Sequence, residues 1–345
     1  MNIPISTSSS LSRRDVLRYA GLGGLGAMLF PMMGHSAAAS AVPAGSTVSL
    51  RGYQPAYYRF NVGAIEALAV NDGGFAVPVE ECPFGVGLPR EEVSAVLDDR
   101  RIDPGVVQIP FNVLVLRIGG RLVMVDSGCG VHNGAAGGRL VQHLETAGIK
   151  ASDISAVILT HAHGDHIGGL LAADFKTPVF PNAELYVNRV EYDFWTSEQA
   201  DLSRMAAPES MRAGMAKGAR AALLALDPRW QKVAPGDRIL DGIELIPAYG
   251  HTPGHMAVLI SSGKNQLLHM VDAAHHHAIS LRQPDWVLAF DADPEMASRS
   301  RRMLFDRADA DRLRVFGAHM PFPSLGAIRK SKDGYDYLME PWSIA

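Results

Sequence analysis

Apolar residues in this chain gather in short runs, and most runs stop at a polar or glycine-marked loop. Residues 111–118 and 121–125 flank Gly119-Gly120, the pattern of a β-hairpin. Residues 139–147 read as a helix closed by Gly148, and 154–159 as a buried strand. A strand over 183–187 and the start of a helix over 190–195 follow. Residues 202–226, rich in Ala, Met and Arg, read as one or two helices that end before Pro228. Three further apolar runs, 243–248, 266–271 and 313–316, read as strands. Periodicity alone therefore gives a mixed α/β chain.

The loops that end these strands hold the chemistry. After 154–159 come Thr160-His161-Ala162-His163-Gly164-Asp165-His166, four metal-capable side chains within six positions. Spacings of two, two and one suit a loop whose alternate side chains reach two neighbouring ions. Gly250-His251-Thr252-Pro253-Gly254-His255 follows 243–248, Asp272 follows 266–271, and His319 follows 313–316. In α/β folds, strand ends are where reactive loops collect on a rigid sheet. One structural zinc takes four ligands and leaves no open position. The seven donors His161, His163, Asp165, His166, His251, Asp272 and His319 instead suit two ions that share a carboxylate.

The His-x-His-x-Asp-His loop, followed in order by His251, Asp272 and His319, resembles the metallo-β-lactamase superfamily. The resemblance implies an α/β four-layer αββα sandwich and two divalent metal ions, zinc by default, although cobalt, manganese or iron fits the same donors. It assigns His161, His163 and His251 to one ion, Asp165, His166 and His319 to the other, and Asp272 to both. His255 would stand behind the ligands, fixing a loop or a tautomer; a turn histidine bonded only locally is the alternative. Redox members of the superfamily carry Glu where His163 stands, which favours hydrolysis. Zinc β-lactamases proper lack a counterpart of Asp272. Glyoxalase II-like members share the donors but bind glutathione through basic residues that have no clear match here.

Further segments resemble methyl parathion hydrolase and its relatives, a group related to the N-acyl-homoserine lactonases. They are Ala56-Tyr57-Tyr58-Arg59-Phe60, Val62 to Glu66, Asn71-Asp72-Gly73, Phe180-Pro181-Asn182-Ala183, Asp193-Phe194-Trp195, and Ala318 to Pro323 with Leu325-Gly326 and Ile328-Arg329. Trp195 then corresponds to a pocket aromatic, with core packing as the alternative. The lactonases place a tyrosine three residues after the bridging aspartate to polarise the carbonyl. This chain has His275 there, which still donates a hydrogen bond. Both residues are assigned to substrate binding. His276 and His277 read as core or solvated positions, Trp286 as structural, and Met205, Met211 and Met215, near helical spacing, as core. The 202–226 segment reads as a lid over an apolar pocket or as a plain surface insertion.

Composition narrows the reading. Ser12-Arg13-Arg14-Asp15-Val16-Leu17, a glycine-broken apolar stretch and Ser36-Ala37-Ala38-Ala39 resemble a twin-arginine signal over residues 1–39, leaving one hydrolase domain over 40–345. That implies export of the folded protein by the twin-arginine machinery to a bacterial periplasm or the medium; a retained N-terminal anchor is the alternative. The formal charge is −4, and loss of three arginines and one aspartate with the signal makes it −6. An acidic protein is a poor partner for nucleic acid, which also disfavours the RNA-processing members. Cys82 and Cys129 do not make a disulfide framework. Cys129, after Asp126-Ser127-Gly128, reads as a buried thiol in a loop that the superfamily places near its metals. Related enzymes form dimers, and the sequence leaves the oligomeric state open.

The expected function is hydrolysis of a small-molecule lactone or ester, acyl-homoserine lactones included, by a hydroxide held between two ions. Asp272 is the expected catalytic residue, bridging the ions and passing the proton to the leaving group. The runner-up is a phosphotriesterase. A metal-storage protein without turnover is the reading from another class.

Overall fold

Leu114 and Leu116 face one way and Val113 and Val115 the other, yet all four are buried. A strand buried on both faces needs a layer above and a layer below, and that requirement shapes the whole molecule. The computed structural model describes residues 56–341, so the signal expected over 1–39 lies outside the described residues.

One sheet holds seven strands in sequence order: β1 (Tyr57–Val62), β2 (Ile65–Pro78), β3 (Val106–Ile118), β4 (Arg121–Val125), β5 (Ile154–Leu159), β6 (Glu184–Asn188) and β7 (Trp230–Val233). The second holds β8 (Ile243–Pro247), β9 (Met256–Ser262), β10 (Asn265–His269), β11 (Arg314–Phe316), β12 (Leu325–Ser331) and β13 (Gly334–Met339) in the order β13-β12-β11-β10-β9-β8. Leu114, Leu116, Val125 and Ile158 of the first sheet pack on Leu245, Val258, Ile260 and Phe316 of the second.

Helices cover the outer faces. On the first sheet, α2 (Leu140–Thr146), α4 (Arg189–Thr196) and α5 (Glu209–Ala225) bury Leu144, Trp195 and Leu223 with Val113, Met124 and Leu185. On the second, α7 (Pro294–Ala310) buries Leu304, Phe305 and Ala308 against Leu259, Leu268 and Val315. This is the αββα sandwich expected from the resemblance. Three further α-helices lie among the described residues: α1 (Arg90–Asp99), the single-turn α3 (Gly164–Ile167), and α6 (Ile279–Arg282).

Two expectations change. The 202–226 segment is helical only over Glu209–Ala225, because Pro208 opens the helix and the residues before it form a loop. The strand expected over 266–271 ends at His269, and Asp272 sits in the tight turn that follows. β2, which the apolar runs do not reveal, continues fourteen residues through Asp72-Gly73-Gly74. A bulge between Asn71 and Gly73 absorbs the interruption. There the buried Asp72 accepts the Cys129 and Leu140 N–H groups, each at 2.7 Å. Both cysteines are buried and no disulfide joins them.

Candidate metal centre

β4, β5 and β6 run parallel, as do β10 and β11, and β8 runs in the same sense as β10 because each pairs antiparallel with β9. Their ends therefore share an edge, and the loops there carry the seven candidate donors. His161 and His163 leave β5 in an extended loop, α3 carries Asp165 and His166, and the loops after β8, β10 and β11 supply His251, Asp272 and His319.

The donor atoms converge in two sets around one carboxylate. His161 Nε2 lies 3.2 Å from His163 Nδ1, which lies 2.9 Å from His251 Nε2. Asp272 Oδ2 is 3.5 Å from His161 Nε2 and 3.2 Å from His251 Nε2. The other oxygen, Oδ1, is 3.3 Å from His166 Nε2 and 3.2 Å from His319 Nε2, which also lies 3.3 Å from Oδ2. Asp165 Oδ2 closes that set at 3.5 Å from His166 and 3.6 Å from His319.

In the neutral rings, the outward bonds decide which inner nitrogens carry lone pairs. Outward-facing Nδ1–H groups donate from His166 to Asp126 at 2.8 Å, from His251 to Asp291 at 2.9 Å, and from His319 to the Pro110 carbonyl at 2.9 Å. Each such bond leaves Nε2 unprotonated in the neutral ring. His166 Nε2 and Asp272 Oδ1 are buried with no hydrogen-bond partner. A buried acceptor with nothing to accept is costly. Three imidazole nitrogens crowded within about one hydrogen-bond length repel unless a cation lies among them, so the donor set fits two metal ions.

Charge follows the same logic. Burial opposes the charged form of Asp272, but the surrounding His166, His319, His275 and His161 outweigh it and hold the carboxyl well below its usual range. Burial likewise opposes charge on His251, yet Asp272 and Asp291 raise it to about 9. His161 and His163 go the other way, lowered by burial and by neighbouring imidazoles. Without cations the cluster has to keep protons to balance its carboxylates.

The sequence pattern of the Metallo-beta-lactamase superfamily matches residues 109–319, more than half of the chain and all seven donors. The chain belongs to this superfamily.

A probable metallo-hydrolase of Mycobacterium tuberculosis is 30% identical over 186 residues, which cover 48% of this chain and 57% of that protein. An N-acyl homoserine lactonase of Bacillus cereus is 26% identical over 139 residues, covering 40% and 45%. The chain thus spans about half the length of the curated relatives it matches. Among solved structures, the dizinc quorum-quenching lactonase AidC, in complex with a product N-hexnoyl-L-homoserine, superposes with a TM-score of 0.78 at 26% identity, covering 84% of this chain and 99% of that one. The hydrolase AbOPH superposes with a TM-score of 0.76 at 24% identity, covering 85% and 100%, a likeness of fold.

Around the superfamily's donor loop, the structure adds residues that the sequence reading missed. Glu191 is fully buried. Its Oε1 accepts from Ala162 N at 2.9 Å and Trp195 Nε1 at 2.6 Å, and its Oε2 from Thr252 Oγ1 at 2.7 Å and Gly254 N at 2.8 Å. One carboxylate thereby ties the loop of His161 and His163 to the loop of His251. Gly254 permits the contact, since a Cβ there would meet Glu191 N at 2.3 Å. Asn112 joins the sheets, its Nδ2 donating to the Ala318 and Met320 carbonyls on either side of His319. Arg301 donates to Asp291 and to the Ala273 carbonyl, behind His251 and Asp272.

A cavity of about 250 Å³ opens onto the donors, walled by Phe75, Ile109, Phe111, Met211, Met215 and Phe290. His275 lines it, with Nε2 3.0 Å from Asp272 Oδ2. The pocket role expected for Trp195 is not what the structure shows. Trp195 is 1% exposed, its Nε1 is taken by Glu191, and its ring lies behind His163 at 5.8 Å between centroids. Of the methionines read as core, Met205 is core, Met215 packs against the core and also lines the cavity, and the exposed Met211 lines the cavity. His255 bonds to the Ala248 carbonyl at 2.8 Å and accepts the Asp272 N–H at 3.3 Å, so it is bonded locally and stands behind a donor as well. His276 turns away, its Nδ1 accepting the Ala278 and Ile279 N–H groups at the start of α6.

Proposed function

We propose that this protein is a metal-dependent hydrolase of lactones or carboxylic esters, acyl-homoserine lactones among them. The observation that carries the reading is the seat of the Asp272 carboxylate between the two sets, with Oδ2 toward His161 and His251, Oδ1 toward His166, and His319 within reach of both oxygens. On this reading His161, His163 and His251 hold one divalent cation, Asp165, His166 and His319 hold a second, and Asp272 serves both. Zinc is the expected metal, because imidazole and carboxylate donors suit it. When bound, such a pair supplies an activated water and a Lewis acid for the carbonyl oxygen.

The chain's own residues do the rest. The apolar walls from Phe75, Phe111, Met211, Met215 and Phe290 take the acyl side of the substrate and exclude water. His275 orients the reacting carbonyl. Burial lowers it to about 4, so it is neutral at pH 7, and its buried Nδ1 has no partner, which leaves the N–H on the Nε2 that faces the donors. In the structure that N–H meets Asp272 Oδ2 at 3.0 Å, and on this reading it turns to the substrate oxygen when substrate enters the cavity that His275 lines. Asp272, stripped of its proton by the surrounding histidines, is the acceptor placed to pass a proton toward the leaving group. The likeness to a Bacillus cereus N-acyl homoserine lactonase and to AidC supports the choice of substrate. The Arg13-Arg14 pattern supports twin-arginine export to the periplasm or the medium.

The test counts metal in the purified mature chain and compares turnover of a lactone panel with that of methyl parathion. Two ions per chain and dominant lactone turnover are expected. Dominant phosphotriester turnover moves the protein to the runner-up class, and two ions without any turnover makes it a metal-binding protein. In the same assay D272A loses at least a hundredfold in kcat.

A further inference from the structure

Two histidines outside the seven candidate donors face the same short piece of backbone, and the Asp272 carboxylate hangs from it. β10 ends at His269, and within three residues the chain turns to present Asp272. Val271 has φ +49°, in the left-handed region that a β-branched residue rarely enters. Asp272 follows at φ −94° and ψ 15°, in the sparsely populated bridge between the helical and extended regions. Backbone strain of this kind persists only where the surroundings hold it, and it gathers where function needs a fixed direction.

Each amide of the turn has an acceptor. Met270 N donates to the Phe316 carbonyl at 2.9 Å and Ala273 N to the Met270 carbonyl at 3.1 Å. For the two central amides, the acceptors are imidazoles. Val271 N donates to His269 Nδ1 at 3.1 Å, and Asp272 N donates to His255 Nε2 at 3.3 Å. The tautomer of His255 is set for this, because its Nδ1–H is spent on the Ala248 carbonyl at 2.8 Å and Nε2 keeps the lone pair. His269 is fixed edge-on against Phe316, 4.8 Å between ring centroids, and both rings are buried. These interactions come from four places in the second sheet: the turn itself, the end of β10, the loop after β8 and the end of β11.

We propose that His269 and His255 are positioning residues that accept the two central N–H groups of the Val271–Asp272 turn and thereby set the direction of the Asp272 carboxylate. The functional consequence rests on the two-ion reading above; the geometry does not. His269 matters most, since it holds the amide of the residue in the left-handed conformation. Nothing in the sequence marks it, because it occupies the last position of an apolar strand.

The two rings use different nitrogens, which gives each a conservative replacement. The amide oxygen of Asn can stand where Nδ1 of His269 stands, and that of Gln where Nε2 of His255 stands. The experiment compares H269N with H269L and H255Q with H255L in the full chain. It measures amide hydrogen exchange at Val271 and Asp272, zinc affinity by chelator competition, and kcat and KM separately. The leucine variants should exchange at their own amide at least tenfold faster, bind zinc about 10–100-fold more weakly, and lose kcat with KM held. H269N and H255Q should return to within about threefold of wild type. The proposal is overturned if H269L exchanges and binds zinc like wild type, or if H269N is no better than H269L. A wild-type chain that binds no zinc defeats the two-ion reading, and the exchange comparison still decides this proposal.

Discussion

Glu191 is a carboxylate surrounded by donors, with no cation among its partners. Burial raises its pKa, while Thr252, Ala162, Trp195 and Gly254 pull it back by donating to it. Four donors and no acceptor are a match for the ionised form alone. Glu191→Gln therefore sets an amide NH2 against groups that are themselves donors. Leaving buried donors without acceptors costs about 1–3 kcal/mol each, so E191Q should lose about 3 kcal/mol in urea unfolding and weaken the ion that His161, His163 and His251 are proposed to hold. Unchanged stability would mean that the carboxyl is protonated in the folded protein. The seven candidate donors stood out in the sequence because they crowd into motifs at strand ends. Glu191, Asp291 and Arg301 were not, because single charged letters in helical or loop stretches look the same whether they face water or a buried donor. Trp195 misled for a related reason: a matching letter gives a position in the chain, not the side from which it meets the site.

Helix α5 shows what pattern reading can and cannot resolve. Its Ala222 and Leu223 face the core, Met211 near its start reaches the cavity, and Met215 touches both. Arginines tie the helix down. Arg212 donates to the Leu202, Ser203 and Met205 carbonyls, and Arg220 to those of Thr196 and Ser197 at the end of α4. The segment is thus a fixed wall of the cavity, not a detached insertion. Truncating both methionines removes apolar contact worth about 25 cal/mol per Å². The M211A/M215A chain should lose about tenfold or more in kcat/KM on long-chain substrates and much less on short ones. An equal loss on both would show that these side chains do not touch the acyl group. The strands β4 and β5 were fully legible as apolar runs between turn signals. β2 was hidden by its glycines and by Asp72, whose partners lie 57 and 68 residues away.

At the largest dimension, the centre lies where the two sheets meet. The first sheet's loops supply His161, His163, Asp165 and His166, and the second's supply His251, Asp272 and His319. Ions bound across such a joint stabilise the folded state by mass action, about 2.7 kcal/mol at a hundredfold excess over Kd. Stripping the protein with a chelator should therefore lower Tm by about 5–10 °C, and added zinc should restore it; a Tm indifferent to both would place the ions, if any, away from the joint. The four-layer architecture came through the family resemblance, whereas periodicity reached only mixed α/β, because burial on both strand faces does not reveal what lies over each.

The same division has a temporal side. The chain is made from its N-terminus, so when β7 emerges the growing polypeptide carries four of the seven donors and no complete set of either kind. Asp272, the carboxylate that both sets share, is made later, and His319 later still. Under the proposed assignment, the set of His161, His163, His251 and Asp272 is present in the chain before His319 is made, so the two-ion centre is complete only when the last donor loop closes.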